Sequence, residues 1–225
     1  MAKLRSALHG CFGFVLRMVM RLLILLAFRP KKVYASEKAR QEALQAPCVI
    51  ISNHVRGMDG AVIQTMLPFH KVYSMSAKDL MDQSPALKWF LSFCFTIPVD
   101  REHVSLAWLR EGRKRLKEGC HIYLCPEGYC NRARVVRPFK AGFVTLAASA
   151  GVKVLPVYHN GEYNYFFGKR FRMIIGEPVT LTPPPEGLTE AEMTRETAQL
   201  HAIMNDLERQ LNGFVRTEAP ASEEQ

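Results

Sequence analysis

The sequence predicts an α/β protein with a mostly parallel central sheet flanked by helices. Short apolar runs rich in β-branched residues alternate along the chain with longer amphipathic segments. The chain has 225 residues, 48% hydrophobic and 23% charged, which suits one domain with a sizeable core and excludes a disordered or fibrous class. Strands that alternate with helices build parallel sheets, so we expect a layered sandwich.

The first forty residues form a basic segment that we expect to associate with a membrane. Residues 1–40 hold nine Lys or Arg and one acidic residue. Residues 11–28 are strongly apolar, carry Arg17 and Arg21 on one helical face, and are followed by Pro30. We favour an amphipathic helix in the membrane interface, with both arginines reaching lipid phosphates. A spanning helix, a cleaved signal peptide and a core-packing helix are the alternatives.

The central region, residues 41–182, carries the alternating elements of the predicted domain. Pro98 lacks a backbone N–H, which places the strand around it at a sheet edge or a strand end. Strands are expected over residues 48–52, 70–76, 95–99, 121–125 and 152–158. Helices are expected over residues 59–67, 85–93, 103–118 and 139–150. A hairpin is expected to follow, with residues 171–179 as its returning strand.

The C-terminal region, residues 183–225, begins with three consecutive prolines that indicate a linker. Thr189 and Glu192 match a capping box, so a helix is expected to start there and to end at Gly213. The polar tail from Arg216 onward is expected to be disordered.

The basic excess predicts an anionic partner. The formal net charge is +9 and the sequence pI is about 9.4. A charge of this size suits nucleic acid, anionic lipid or a phosphorylated substrate, and composition alone does not choose among them.

The six cysteines form no C-x-x-C pair and are interpreted as reduced intracellular thiols. Cys120, His121, Cys125 and Cys130 lie close together in sequence, but their spacing does not fit a zinc site. We therefore expect no bound metal.

One polar group stands at the end of a predicted strand, where open α/β sheets bind ligands. His54 and Asp59 are five residues apart and can touch across a turn that opens a helix. The carboxylate would hold one ring nitrogen, and the other could take a proton from a hydroxyl. The alternative for an isolated pair is a helix-capping histidine with an exposed aspartate nearby.

The pattern Asn53-His54 to Asp59 resembles the N-H-x4-D signature of the lysophosphatidic acid acyltransferase family. Further blocks similar to those of the family follow in its order, and the resemblance covers about residues 45–180. These blocks are residues 77–80 with 97–102, residues 125–128 with Asn131 and Arg132, and residues 139–142, 154–157 and 175–178.

The sequence departs from the family pattern at one place. Tyr129-Cys130 stand where the family usually has Thr-Arg. The usual arginine is missing, and Arg132 and Arg134 are the candidates to replace it. The departure bears on head-group binding more than on the type of reaction.

The resemblance also implies roles for individual residues. His54 would be the general base and Asp59 its orienting partner. Arg101 would bind the phosphate of the acceptor, since a guanidinium suits bidentate phosphate binding. The other implied binding residues are Glu127 and Gly128 in the acceptor site, Pro156 closing the donor side by fixing a turn at a strand end, Arg132, and the weaker phosphate candidates Lys78 and Lys140.

The resemblance implies transfer of a fatty acyl group from acyl-CoA or acyl carrier protein to a lysophospholipid. The acceptor it implies most directly is 1-acyl-glycerol-3-phosphate, which gives phosphatidic acid. We expect no metal or redox cofactor, no nucleic acid partner, and a location on anionic lipid at the cytoplasmic face of a membrane. Another lyso-lipid acceptor such as lyso-ornithine lipid, transacylation from a phospholipid, and a non-catalytic membrane-binding protein of the same fold are the alternatives.

Overall fold

Seven strands form one sheet in the computed structural model, which describes residues 2–68, 71–100, 106–133, 135–181 and 188–218. Across the sheet the strands are ordered β1-β7-β6-β2-β5-β3-β4. Their bounds are β1 (Lys31–Tyr34), β2 (Cys48–Ser52), β3 (Val72–Ala77), β4 (Thr96–Val99), β5 (His121–Leu124), β6 (Lys153–His159) and β7 (Arg172–Ile175).

The five strands from β6 to β4 run parallel to one another. Strand β7 pairs antiparallel with β6, and β1 pairs parallel with β7. The predicted mostly parallel sheet, the antiparallel return after β6 and the edge position of β4 are confirmed. Because five strands share a direction, their carboxyl ends open on one edge of the sheet, where α/β proteins place their ligands.

Helices cover both faces of the sheet. Alternation along β2 sends Val49 and Ile51 into a core cluster shared with the helices that follow β4 and β5, and Ile50 into a cluster on the opposite face. The helices are α1 (Ala2–Phe28), α2 (Glu37–Glu42), α3 (Asp59–Met66), α4 (Lys78–Asp82), α5 (Pro85–Phe93), α6 (Ala107–Lys117), α7 (Gly142–Ala150) and α8 (Glu190–Glu218).

Helix α1 ends two residues before Pro30, as predicted. Ile24 and Phe28, in its last two turns, are buried in the core cluster that includes α3. The segment Cys11–Phe28 has a mean hydropathy of 2.2 and is long and apolar enough to cross a membrane. Only 17% of that segment is buried against the rest of the described chain, so most of its apolar surface faces outward.

One face of α1 carries large apolar side chains that are between 37% and 57% exposed. Nine such side chains are exposed, which is more apolar surface than a water-facing helix normally presents. They are Phe12, Phe14, Val15, Met18, Val19, Leu22, Leu23, Leu25 and Leu26.

Arg17 corrects one expectation about this helix. Its Nη1 donates to the backbone oxygen of Phe93 at 2.7 Å, and its guanidinium lies 4.1 Å from the ring centroid of Phe95. The side chain is thus held by α5 and the residues after it, and it does not point toward lipid phosphates. The reason is a contact distant in sequence, which helical periodicity could not indicate.

The C-terminal helix begins as predicted and ends later. The capping box is present, with the Thr189 N–H donating to Glu192 Oε2 at 2.9 Å and the Glu192 N–H to Thr189 Oγ1 at 3.3 Å. The helix continues through Gly213 to Glu218, so its predicted end at Gly213 is wrong. The disorder expected from Arg216 onward is wrong for residues 216–218, which are helical. The three prolines of the predicted linker lie outside the described residues.

Three elements were not predicted, namely β1, α2 and the five-residue helix α4. Strand β1 is short and half-buried, and its registry with β7 depends on a pairing about 140 residues away in sequence. Helix α2 is only six residues long, although Ser36 caps it by accepting from the Ala39 N–H at 3.0 Å.

Candidate active site

The predicted histidine–aspartate pair forms at the carboxyl end of β2. His54 Nδ1 lies 2.8 Å from Asp59 Oδ2, with the His54 side chain 18% exposed and the Asp59 side chain fully buried. Asp59 is the first residue of α3, and the turn between the two residues brings the carboxylate back under the ring. Because Asp59 accepts the Nδ1 proton, His54 Nε2 is left to face the open side of the sheet.

Asp59 is the most heavily hydrogen-bonded group of the site. Its Oδ2 also accepts the N–H of Val55 at 2.6 Å and of Arg56 at 2.9 Å, and its Oδ1 accepts the hydroxyl of Tyr163. Burial opposes ionisation, but the hydrogen bonds from His54 and Tyr163 outweigh it and lower the pKa of Asp59. The carboxylate is therefore a fixed negative charge below the imidazole.

His54 responds to that charge. Burial disfavours its protonated form, yet the hydrogen bond and charge of Asp59, together with the neighbouring Cys125, raise the pKa of His54 to about 11. The ring therefore binds a proton strongly, so the neutral form, which alone can take a proton from a hydroxyl, is the minor form near neutral pH.

Asn53 locks the loop that carries His54 to the end of β6. Its side chain makes two hydrogen bonds with the backbone of His159. Asn53 Nδ2 donates to the His159 carbonyl, and Asn53 Oδ1 accepts the His159 N–H, both at 2.9 Å. His159 Nε2 lies 3.0 Å from the Asn53 carbonyl, and His159 Nδ1 accepts the Gly161 N–H at 3.2 Å. These two contacts fix a neutral ring, and burial lowers the pKa of His159. The asparagine of the motif therefore has a positioning role.

Tyr163 supports Asp59 from behind and was not predicted. Its ring packs edge-on against Phe28 of α1, with ring centroids 5.5 Å apart, and it also contacts Phe171 at 5.4 Å. Tyr163 lies in the segment between β6 and β7, where no motif or periodicity marks it. The signal that could have found it is the need of a buried carboxylate for a further donor, which sequence does not locate.

Glu127 binds the backbone of the histidine loop. Its Oε1 accepts the His54 N–H at 3.2 Å, and burial raises the pKa of its carboxyl although hydrogen bonds from the His54 and Arg137 backbones oppose the change. Its Oε2 is buried and has no hydrogen-bond partner within the described ranges. The described contacts thus give Glu127 a role in holding His54, and its predicted contact with the acceptor stays a prediction.

Gly128 makes the turn beside this site. Its φ of +80° is a conformation that other residues rarely adopt, and an added Cβ would lie 3.1 Å from Cε of Lys140. Lys140 Nζ lies 5.0 Å from the ring centroid of Tyr129. The turn therefore needs glycine, and it brings the predicted cation Lys140 to the same loop.

Cys130, at the departure from the family pattern, lies next to the histidine. Its Sγ is 3.2 Å from His54 Nε2, and the thiol is exposed. The following residue, Asn131, donates its backbone N–H to the His54 carbonyl at 2.6 Å and holds the two loops together. Sequence reasoning treated Cys130 as a missing arginine and did not identify this contact.

The remaining predicted site residues are Lys78, Arg132, Arg101 and Pro156. Lys78 pairs with Asp100 at 3.6 Å, and Arg132 is exposed in the turn after Asn131. Arg101 lies outside the described residues, so its predicted phosphate contact stays a prediction. Pro156 lies inside β6, opposite Ile51, and the turn predicted around it is wrong.

A cavity of about 450 Å³ opens over these groups. His54, Gly128, Cys130 and Lys140 line its polar end. Its wall continues along apolar side chains at the ends of β3 to β5 and on α4, α6 and α7, namely Met75, Leu80, Val99, Trp108, Leu124 and Phe143. Polar side chains also line this wall, so the cavity joins His54 to a surface that is partly apolar and partly polar, and its apolar part suits an acyl chain. These polar residues are Ser74, Ser76, Asp79, Gln83 and Asp100. The described residues contain no group of three or more His, Cys, Asp or Glu that could hold a metal ion, and the absence of a metal in the working protein stays a prediction.

Curated relatives carry names that agree with this chemistry. A human protein named 1-acyl-sn-glycerol-3-phosphate acyltransferase beta is 26% identical over 164 residues, which cover 70% of this chain and 58% of that protein. A protein of Pseudomonas aeruginosa named 1-acyl-sn-glycerol-3-phosphate acyltransferase is 30% identical over 123 residues, covering 53% of this chain and 47% of its own length. The chain thus spans about half the length of these relatives.

A solved structure shares the fold. The crystal structure of the 1-acyl-sn-glycerophosphate acyltransferase of Thermotoga maritima superimposes with a TM-score of 0.57 at 21% identity, covering 81% of this chain and 73% of that one. A family model described as Acyltransferase matches residues 31–160, which is more than half of the chain and includes His54, Asp59 and the loop after β5. The family predicted from the order of the motifs is confirmed, and this chain belongs to the Acyltransferase family.

Proposed function

We propose that the protein transfers a fatty acyl group from an acyl thioester to the free hydroxyl of 1-acyl-glycerol-3-phosphate, forming phosphatidic acid. The observation that carries this proposal is the geometry of His54, whose Nδ1 is bound by buried Asp59 while Nε2 faces the cavity. The names of the curated relatives support the same acceptor.

His54 acts as the general base of the reaction. The neutral imidazole accepts the hydroxyl proton of the lysophospholipid at Nε2, and the oxygen attacks the thioester carbonyl carbon. The new C–O bond forms as the C–S bond breaks, and the thiol of the donor leaves with the proton. Asp59 stabilises the imidazolium formed in the first step. The proposed reaction joins an alcohol and a thioester, so it requires no metal or redox cofactor.

Cations near the cavity would bind the acceptor phosphate. Lys140 lines the cavity, and Arg132 is exposed on the next turn. Arg101, outside the described residues, is the further candidate implied by the family pattern. A phosphate group bound here would place the glycerol hydroxyl toward His54.

The donor is proposed to be acyl-CoA or acyl carrier protein, both of which are acidic. Helix α6 presents a basic surface for either one, in line with a donor that carries phosphates or acidic side chains. The surface is formed by Arg110, Arg113, Lys114 and Lys117.

Membrane association is proposed to occur through the exposed apolar face of α1, at the cytoplasmic side where thioester donors are found. The lysophospholipid acceptor resides in a bilayer, and the nine exposed side chains of α1 provide apolar surface to enter it. Basic residues on both sides of the apolar run, such as Lys3 and Lys31, would add attraction to anionic lipid.

A second candidate is the acylation of another lyso-lipid, such as lyso-ornithine lipid. Tyr129 and Cys130 replace the usual Thr-Arg pair, so one cation expected beside the acceptor phosphate is missing. An acceptor with a less anionic head group would need fewer cations at this position.

An acceptor panel tests the proposal. Purified full-length protein is incubated with lysophosphatidic acid, other lysophospholipids or lyso-ornithine lipid, each with acyl-CoA and with acyl carrier protein loaded with the same chain. We expect phosphatidic acid to be the main product and His54→Ala to abolish it while binding to liposomes is kept. Turnover of lyso-ornithine lipid in preference would support the second candidate. Equal product from His54→Ala would reject His54 as the base, and no product from any acceptor would reject the enzymatic role.

A further inference from the structure

The exposed thiol of Cys130 contacts the histidine of the His54–Asp59 pair, so that three groups lie in successive contact. Its Sγ lies 3.2 Å from His54 Nε2, and His54 Nδ1 lies 2.8 Å from Asp59 Oδ2. A nucleophile, a base within hydrogen-bond reach of it, and a third group that orients the base form the constellation of covalent acyl transfer. Direct transfer by a general base requires the histidine and the aspartate but no thiol.

The position of Cys130 distinguishes it from the other cysteine near the site. Cys125 Sγ lies among polar groups of the sheet, 3.1 Å from the Tyr123 hydroxyl and 3.6 Å from the Ser52 hydroxyl, and is half-buried. Both cysteines line the cavity, but Cys130 is the exposed one, and its Sγ lies 3.2 Å from His54 Nε2. It therefore combines access to a ligand with access to the base.

The loop around Cys130 is held on both sides. The Asn131 N–H donates to the His54 carbonyl at 2.6 Å, and the side chain of Asn131 donates to the Val135 carbonyl at 2.6 Å. On the other side Gly128 adopts φ of +80° and its N–H donates to the Cys125 carbonyl at 3.1 Å. These bonds fix Gly128 and Asn131, which lie on either side of Cys130 in the loop. The contact between Cys130 Sγ and His54 Nε2 therefore belongs to an ordered loop.

We infer that Cys130 is a nucleophile that carries the acyl group as a thioester between donor and acceptor. The inference rests on the proposed overall acyl transfer and divides it into two half-reactions, which take the place of the direct attack of the acceptor on the donor thioester. In this reaction the sulfur occupies, at His54 Nε2, the place that the acceptor hydroxyl takes in direct transfer. The same ring nitrogen then serves both half-reactions in turn.

The two half-reactions balance. First, His54 takes the Cys130 proton, the thiolate attacks the thioester carbonyl carbon of the donor, and the donor thiol leaves with the proton from His54. One C–S bond forms and one breaks, so the step is close to neutral in free energy. Second, His54 takes the proton of the acceptor hydroxyl, the oxygen attacks the Cys130 thioester, and the released Cys130 sulfur regains the proton. No oxidant or further reactant takes part.

Trapping the intermediate tests the inference. Full-length protein is incubated with radiolabelled palmitoyl-CoA without an acceptor, quenched in acid, and analysed for protein-bound label and by peptide mass spectrometry. We expect label on the peptide containing Cys130, its release by neutral hydroxylamine, and its transfer to lysophosphatidic acid when the acceptor is added before the quench. Cys130→Ala should lose the label and lower kcat by at least about 100-fold.

Three comparisons separate Cys130 from other thiols and from general damage. Cys125→Ser should keep the label, and Cys120→Ser, beyond the end of α6, should keep both the label and the rate. His54→Ala should lose the label. Circular dichroism and thermal unfolding of Cys130→Ala should match the wild type, because the side chain is small and exposed.

The result that would overturn the inference is a wild-type enzyme that transfers acyl groups without acid-stable label, or a Cys130→Ala variant that turns over within about twofold of the wild type. Either result leaves direct transfer by His54 in place. If the wild type acylates no acceptor at all, the proposed function itself fails, and the two failures are therefore distinguishable.

Discussion

Tyr163 donates its hydroxyl to Oδ1 of Asp59, the carboxylate oxygen that His54 does not use. The contact joins residues 104 positions apart in sequence and buries both side chains. It gives the Asp59 carboxylate a donor on each oxygen, so that the carboxylate neither rotates nor leaves His54.

Tyr163→Phe should lower kcat roughly 10-fold with little change in KM. The phenyl ring keeps its edge-on contact with Phe28, but Asp59 loses one hydrogen bond, worth about 1.5 kcal/mol for a charged acceptor. Steady-state kinetics with lysophosphatidic acid measure the change. Tyr165→Phe is the matched control, because Tyr165 also contacts Phe28 but is 62% exposed. Equal rates for Tyr163→Phe and wild type would contradict a positioning role.

Asp59→Asn should reduce kcat by roughly 10³-fold and lower the free energy of unfolding by about 2 kcal/mol. The carboxylate accepts from His54, Val55, Arg56 and Tyr163, and an amide nitrogen in its place would face at least one donor. Rate assays and urea unfolding measure the two effects. A stable variant that kept its rate would show that the imidazole needs no charged partner.

The pair also predicts how stability depends on pH. The pKa of His54 is raised to about 11 in the folded protein, above the value near 6.5 of an unfolded histidine. The folded state therefore retains a proton that the unfolded state releases, so this contribution to stability is complete below pH 6.5 and is lost progressively as the pH rises to 11. Urea unfolding of wild type and His54→Gln from pH 6 to pH 10 should show the wild type losing its advantage as the pH rises. A constant difference would contradict the prediction.

Two glycines should respond to alanine with opposite signs. Gly128→Ala should destabilise the protein by about 1–2 kcal/mol and lower activity, since its φ is +80° and Lys140 is close. Gly213→Ala should stabilise it by about 0.5–1 kcal/mol, because Gly213 is inside α8 and an added Cβ meets nothing within 4 Å. Thermal unfolding of both variants checks the signs. A stabilising Gly128→Ala would refute the strained turn.

Replacing Leu22, Leu23 and Leu26 together with Gln should weaken liposome binding at least about 100-fold. These side chains are 57%, 53% and 57% exposed, and each would contribute about 2 kcal/mol when buried in lipid. Flotation with anionic liposomes measures the binding. Leu106→Gln, at the N-cap of α6 and 63% exposed, is the control that should bind normally. Unchanged flotation of the triple variant would show that α1 is not the membrane-binding element.

The sequence was sufficient for those parts of the fold and site whose signals are local. The strand before Asn53, the turn that joins His54 to Asp59 and the capping box at Thr189 each depend on residues within a few positions of one another. Helical periodicity and strand alternation follow from the same short-range geometry.

Contacts that depend on the order of the strands in the sheet could not be predicted from local signals. Tyr163 reaches Asp59 only because β6 lies beside β2, and Cys130 reaches His54 only because β5 lies on the other side of β2. Strand β1 likewise depends on β7, far along the chain. A single sequence gives no registry between distant strands, so these residues carry no mark until the sheet is assembled.

The packing of Phe28 against Tyr163 has a consequence for any attempt to produce a soluble form of this protein. The last two turns of α1 bury Ile24 and Phe28 against the core, and Phe28 packs on Tyr163, which supports the Asp59 carboxylate. A truncation that removes all of α1 would open a cavity behind Tyr163 and Asp59 as well as remove the exposed apolar face proposed to bind lipid. Detergent-free production is better served by cutting before Ile24, which separates attachment to lipid from the integrity of the acyltransfer site.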